Sequence, residues 1–224
     1  MSESPLPEST ARAAGTLHAR TFGNEFLLLN AESSDAPDLP SIGRAMLGAK
    51  LPFVEEVIAT EREICLKLNE HYQPGALSKL QHVALPDTQG SQHKPFRLPV
   101  VIDINAEDWP PIESHTGMNR EAYCEKFLAC RLRVAMIGFL PGFVYLSGLP
   151  TELHVPRKET PTRQTTPGAL AIGGPYAGVY SLPSPAGWNV IGQIGIDLLQ
   201  ADRLPPIELQ PGDEVTLDPI EANS

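Results

Sequence analysis

The chain has 224 residues, enough for one large domain or two small ones, and its 42% hydrophobic and 20% charged residues exclude a disordered, collagen-like or coiled-coil protein. With 17 basic against 27 acidic residues the formal charge is −10, so no basic footprint serves nucleic acid or an anionic membrane, and a small molecule or a protein partner is expected. The 23 prolines are about twice the usual ~5% share; each fixes φ and removes a backbone donor, which favours a loop-rich β architecture.

In chain order, residues 1–15 lack the positive and apolar regions of a secretory signal and carry Glu3 and Glu8, so residues 1–20 read as a loose tail. Residues 26–29 predict a short strand ending at Asn30, and residues 42–49 a helix. Residues 53–59 and the alternating Ile64, Leu66 and Leu68 predict an antiparallel hairpin turning near Glu61 and Arg62. Leu77, Leu80 and Val83 recur at helical spacing. The order β-α-β-β-α makes residues 21–86 a small α+β domain whose sheet is covered by two helices. Residues 87–94 contain no apolar side chain, so 87–95 is predicted to be a linker.

Beyond it, residues 98–104 are β-rich, and Asn119 caps a predicted helix with Tyr123, Phe127 and Cys130 on one face. Short apolar runs at 133–139, 170–172, 179–182 and 189–191 are each bounded by Gly or Pro, which predicts a closed or nearly closed β-barrel over 96–224. The longest apolar stretch, residues 134–146, is broken by Gly138, Pro141 and Gly142 and falls short of the ~20 residues a membrane-spanning helix needs. Cys65, Cys124 and Cys130 are an odd number without metal-type spacing, so neither a disulfide framework nor a zinc site is predicted, and a cytoplasmic location fits.

Residues 138–146 hold two glycines, a proline and three aromatics. Phe139, Pro141, Gly142, Phe143 and Tyr145 can form the lip of a shaped pocket, or a bulged strand with aromatic core filling. This segment is followed by Pro156-Arg157-Lys158-Glu159-Thr160-Pro161, Ile172-Gly173-Gly174, Gly178-Val179-Tyr180, Ser184-Pro185-Ala186-Gly187-Trp188 and Ile191-Gly192. On that ordered series, with Leu98-Pro99-Val100 and His115-Thr116-Gly117, the chain resembles the carboxyltransferase domain (subdomains C and D) family. That family contains the B subunit of 5-oxoprolinase, allophanate hydrolase subunit 1 and the sporulation kinase inhibitor. The resemblance implies an α+β N-terminal domain followed by a cyclophilin-like β-barrel. It also implies work beside a partner of the 5-oxoprolinase C-subunit or allophanate hydrolase subunit 2 type, in ATP-dependent opening of 5-oxoproline to glutamate. This chain alone is then expected to bind no cofactor, with ATP engaged in the complex. The alternatives are a regulator of the histidine kinase inhibitor type and a urea or allophanate carboxyltransferase component. The latter would need a biotin-bearing partner, since this chain has no Met-Lys pair. Departures from the family pattern fall at polar positions: Val101, Ile102, Asp103, Phe127, Leu132, Tyr176-Ala177 and Gln193-Ile194.

His115 is the candidate catalytic acid or base, its other reading being a helix-end cation. Arg157, Lys158 and Arg163 are stiffened by Pro156, Pro161 and Pro167; the Arg157 and Arg163 forks suit a small carboxylate, and the alternative is a solvated loop. Tyr145, Tyr176, Tyr180 and Trp188 either line the pocket or fill the barrel. Gly173 and Gly174 lack the phosphate-loop pattern but complete the expected substrate-binding set.

Overall fold

The computed structural model describes residues 10–12, 16–31, 38–69 and 93–221. The chain divides into two units between Gln92 and His93.

In the first unit, alternation of apolar residues gives a sheet one dry face. Strands β1 (Thr10–Arg12), β2 (Thr16–Phe22), β3 (Phe26–Ala31), β4 (Val54–Ala59) and β5 (Glu63–Leu68) pair antiparallel in the order β1-β2-β3-β5-β4. Leu27 faces Leu66 and Leu29 faces Ile64 across the β3/β5 ladder. These side chains pack with Leu39, Ile42 and Met46 of helix α1 (Leu39–Gly48). Gly43 permits the close approach, since a Cβ there would lie 2.4 Å from Ala59 Cβ.

Within the expected loose tail 1–20 the structure places β1 (Thr10–Arg12) and the first residues of β2, which pairs with β3 from Leu17↔Ala31 to Phe22↔Phe26 around a turn with Gly23 at φ 62°. Only Leu17 and Ala19 marked its apolar alternation, too faint a signal beside the polar start. Helix α1 begins three residues earlier than predicted, because Pro40 fits a first helical turn whose N–H has no partner to lose. The expected helix around Leu77, Leu80 and Val83 and most of the expected linker lie outside the described residues.

In the second unit, strands β6 (Pro95–Ile102), β7 (Arg131–Ile137), β8 (Val144–Ser147), β9 (Ala169–Gly173), β10 (Tyr176–Val179), β11 (Asn189–Ile194) and β12 (Glu214–Pro219) close into a barrel. The order is β10-β8-β7-β12-β6-β11-β9, with β6/β12 parallel and the other pairs antiparallel. The predicted α+β-then-barrel architecture is what the structure shows. Alternate residues of every strand, among them Leu98, Val134, Leu146, Ile172, Val179, Ile191 and Val215, join one buried cluster. A closed barrel has one interior, so this cluster is that interior, and the intervening side chains point outward. Trp109 and Ile112 of helix α2 (Trp109–Thr116) and Tyr123 and Phe127 of helix α3 (Arg120–Leu128) complete it. Asn119 caps α3 by accepting the Ala122 N–H at 2.9 Å.

Candidate functional site

On the outward side of β8, β10 and β9 the alternate positions are Phe143 and Tyr145, then Tyr176, Gly178 and Tyr180, then Ala169, Ala171 and Gly173. Small residues on two adjacent strands leave a trough, and Trp188 lies in it. A Cβ at Gly173 would stand 2.4 Å from Trp188 Cδ2, and one at Gly178 would stand 2.6 Å from Trp188 Cζ3. The rings meet edge to face: Phe143 has its centroid 4.6 Å from Tyr145, 4.8 Å from Tyr180 and 5.6 Å from Trp188. Phe143 and Tyr180 are almost fully buried, Trp188 is 5% exposed, and Tyr145 and Tyr176 are half-buried.

The β7–β8 turn overhangs this group. Gly138 N–H donates to Phe143 O at 3.0 Å, Phe143 N–H to Leu140 O at 3.1 Å, and Ser181 Oγ–H to Pro141 O at 2.5 Å. Gly142 takes φ 82°, and Phe139, at φ 73°, is a bulky residue in the left-handed region. Its ring is 67% exposed yet touches Phe143 edge-on at 5.6 Å.

A strap running from Pro156 to Thr165 crosses beside Trp188. Lys158 N–H donates to Gly187 O at 2.7 Å, Thr162 and Ala186 form a bridge, and Thr165 N–H donates to Ser184 O at 2.8 Å. The strap carries Arg157, whose guanidinium carbon sits 5.8 Å from the Trp188 ring centroid. Burial raises the Tyr145 and Tyr180 hydroxyls above the ordinary tyrosine value, and the positive charge of Arg157 pulls both back. The guanidinium thus lies over the indole with its donors uncommitted to any carboxylate among the described residues, and a guanidinium fork of this kind suits a small planar anion.

The structure brings together Phe143, Tyr145, Tyr180, Trp188, Arg157 and Gly173, with Phe139, Pro141 and Gly142 in the adjoining turn. Gly174 shapes the β9–β10 turn at φ 62° and donates its N–H to Val155 O at 2.7 Å. Arg163 is exposed one residue past the Thr162–Ala186 bridge. His115 is exposed on the last turn of α2, before Gly117 at φ 69°; helical rise puts it about 10 Å along the axis from Asp108.

Of the two readings open for the aromatic segment and for Lys158, the structure favours one in each case. The glycines let the aromatic rings sink together on the barrel wall, as a packed group. Surface cavities of about 720 Å³, lined by Phe96, Arg203 and Leu204, and about 440 Å³, lined by Val101, Gln193 and Ile220, lie elsewhere. Lys158 is not a solvated charge: its Nζ donates to Asp108 Oδ2 at 2.7 Å, with side chains 11% and 17% exposed. Sequence reasoning missed Asp108 and Asn189, the latter 1% exposed. Their signals were faint: an acid before Trp109-Pro110-Pro111 and an amide opening an apolar run.

Among the described residues, no group of three or more His, Cys, Asp and Glu could hold a metal ion, and no helix is long and apolar enough to cross a membrane.

Residues 17–209 match the model of the family described as carboxyltransferase domain, subdomain C and D. The chain is 37% identical over 125 residues to the B subunit of 5-oxoprolinase from Escherichia coli O157:H7, a match covering 55% of this chain and 57% of that one. It is 45% identical over 82 residues to the corresponding 5-oxoprolinase B subunit of Haemophilus influenzae, covering 37% of this chain and 38% of the relative. The matches therefore span between about a third and just over half of the curated relatives' lengths. Among solved structures, TTHA0988 superposes with a TM-score of 0.76 at 27% identity, over 89% of this chain and 40% of that one. The urea amidolyase of K. lactis, at 16% identity and a TM-score of 0.68 over 97% of this chain and 16% of the enzyme, shares the fold.

Proposed function

Because the chain belongs to the carboxyltransferase domain, subdomain C and D family, we propose that it is one component of a 5-oxoprolinase-type amidohydrolase. It would act with a partner of the 5-oxoprolinase C-subunit or allophanate hydrolase subunit 2 type in ATP-dependent opening of 5-oxoproline to glutamate. The observation that carries this reading is the Arg157 guanidinium held 5.8 Å from the Trp188 ring, which is itself packed in the group that holds Tyr145 and Tyr180. A carboxylate there accepts two N–H bonds from the guanidinium fork, and a neutral phenol can donate to a lactam or carboxylate oxygen.

The group binds better than it reacts. Among the described residues beside it, Asp108 is committed to Lys158, and His115 lies apart on α2. The remaining acid–base groups are therefore assigned to the second subunit, and His115 fits the helix-end role that its position favours. The names of the curated relatives, each the B subunit of a 5-oxoprolinase, support a composite enzyme.

The purified chain should show no 5-oxoproline-dependent ATP hydrolysis, and adding its cognate second subunit should produce it. Activity of the chain alone would overturn the shared site. Inactivity of the reconstituted complex would favour a regulator of the kinase inhibitor type, for which the exposed, conformationally strained Phe139 is the observation in hand.

A further inference from the structure

We propose that Asp108 and Asn189 are positioning residues that staple Arg157 to Trp188, so that the guanidinium is ordered before a ligand arrives. This rests on the reading of Arg157 as the carboxylate donor. Both neighbours of Arg157 are tied to both sides of Trp188. On one side, Pro156 O accepts from Asn189 Nδ2 at 3.0 Å, and the same amide group donates to Ile172 O at 3.3 Å. On the other, Lys158 N–H donates to Gly187 O at 2.7 Å. Lys158 Nζ then reaches Asp108 Oδ2 at 2.7 Å, and that one oxygen also accepts the Val190 N–H at 2.8 Å. Residues 156 and 158 are thus held to residues 187, 189 and 190, leaving Arg157 and Trp188 facing each other between the fastenings.

Asp108 lies 50 positions from Lys158 and 82 from Val190 in the chain, at the N-terminus of a helix that takes no other part in the group. Its ion pair is largely shielded from solvent, so salt screens it little. A strap fixed on both sides holds the backbone from which Arg157 reaches over the indole, so less ordering cost remains for the loop when the guanidinium grips a ligand. Loosening the strap leaves the charge in place but not its order. The loss should therefore be smaller than that from deleting the guanidinium.

The test uses the full chain labelled with 5-fluorotryptophan, read by fluorine NMR and by calorimetric titration with 5-oxoproline, with the cognate second subunit present if the chain alone does not bind. Arg157→Ala identifies the Trp188 resonance and should weaken binding roughly 10- to 100-fold. Lys158→Met should shift that resonance in the same direction and weaken binding about 3- to 10-fold. Lys158→Arg, which restores a cation to Asp108, should recover both. Asp108→Asn, which keeps an acceptor for the Val190 N–H, serves as the second variant should Lys158→Met fail to melt cooperatively. An unmoved resonance and unchanged affinity in Lys158→Met and Asp108→Asn, alongside a clear effect of Arg157→Ala, would overturn the staple alone. Unchanged affinity in Arg157→Ala would instead overturn the carboxylate reading, and the resonance would still decide whether the staple exists.

Discussion

A methyl group added at Gly178 would meet Trp188 Cζ3 at 2.6 Å and Phe143 Cζ at 2.8 Å, well inside van der Waals contact. Both rings are pinned, so neither can retreat cheaply. Gly178→Ala should destabilise the second unit by about 1–3 kcal/mol through overpacking and expose the indole. A denaturation curve with a red shift of tryptophan emission checks this, and an unchanged curve would show that the trough can widen. Lys158 behaves differently from a surface lysine. Its removal leaves Asp108 mostly buried without its cation, which should cost about 1–3 kcal/mol, lowered because the pair is not fully enclosed. His115→Ala, by contrast, should cost no more than about 1 kcal/mol and leave 5-oxoproline binding unchanged, as expected of a cation at a helix end. A melting curve and a titration separate these cases, and a large loss of affinity in His115→Ala would return that residue to the site.

The barrel strands work as two-faced elements: one face fills the interior, and on β8, β9 and β10 the other builds the aromatic group. That burial has a consequence with pH. Tyr145 and Tyr180 are raised above the usual tyrosine value by burial, with Arg157 opposing. Tyr123, whose hydroxyl donates to Leu153 O at 2.8 Å, is also raised by burial. In each case the fold favours the protonated phenol. The native state therefore holds protons that the unfolded chain releases, and the stability contribution is complete below about pH 10 and falls as pH rises through that value. Alkaline titration followed by phenolate absorbance should show delayed ionisation of these tyrosines, coupled to unfolding. In Arg157→Ala the opposing charge is gone, so Tyr145 and Tyr180 should ionise at still higher pH. Earlier ionisation would place Arg157 away from the phenols.

For the whole molecule, the polar run 87–94 and the division between Gln92 and His93 lead to the same expectation. Limited proteolysis should cut near this run first and leave the barrel unit intact, since every barrel strand lies C-terminal to it. Mass spectrometry of the earliest fragments checks this, and a first cut within residues 131–192 would contradict it. The α+β unit, the barrel and the glycine–aromatic segments were legible from sequence because periodicity, capping and Gly or Pro punctuation act over a few residues. The choice between a recognition loop and a solvated loop could not be made for Lys158 from sequence, because its burial depends on Asp108, a residue 50 positions away that no local pattern links to it. Likewise, Gly173, Gly178 and Trp188 are separate marks in the chain. Only the register of β9 on β10 makes the two glycines one trough, and only that trough decides between the two readings of the rings by packing them around Trp188. The sequence by itself determined the α+β-then-barrel architecture and the strands that carry clear apolar runs, while β1, β2 and β12 were not legible in it. The tertiary structure decided which of them meet, because barrel closure and cross-strand register are set by contacts between distant residues whose partners exist only once the whole barrel is formed.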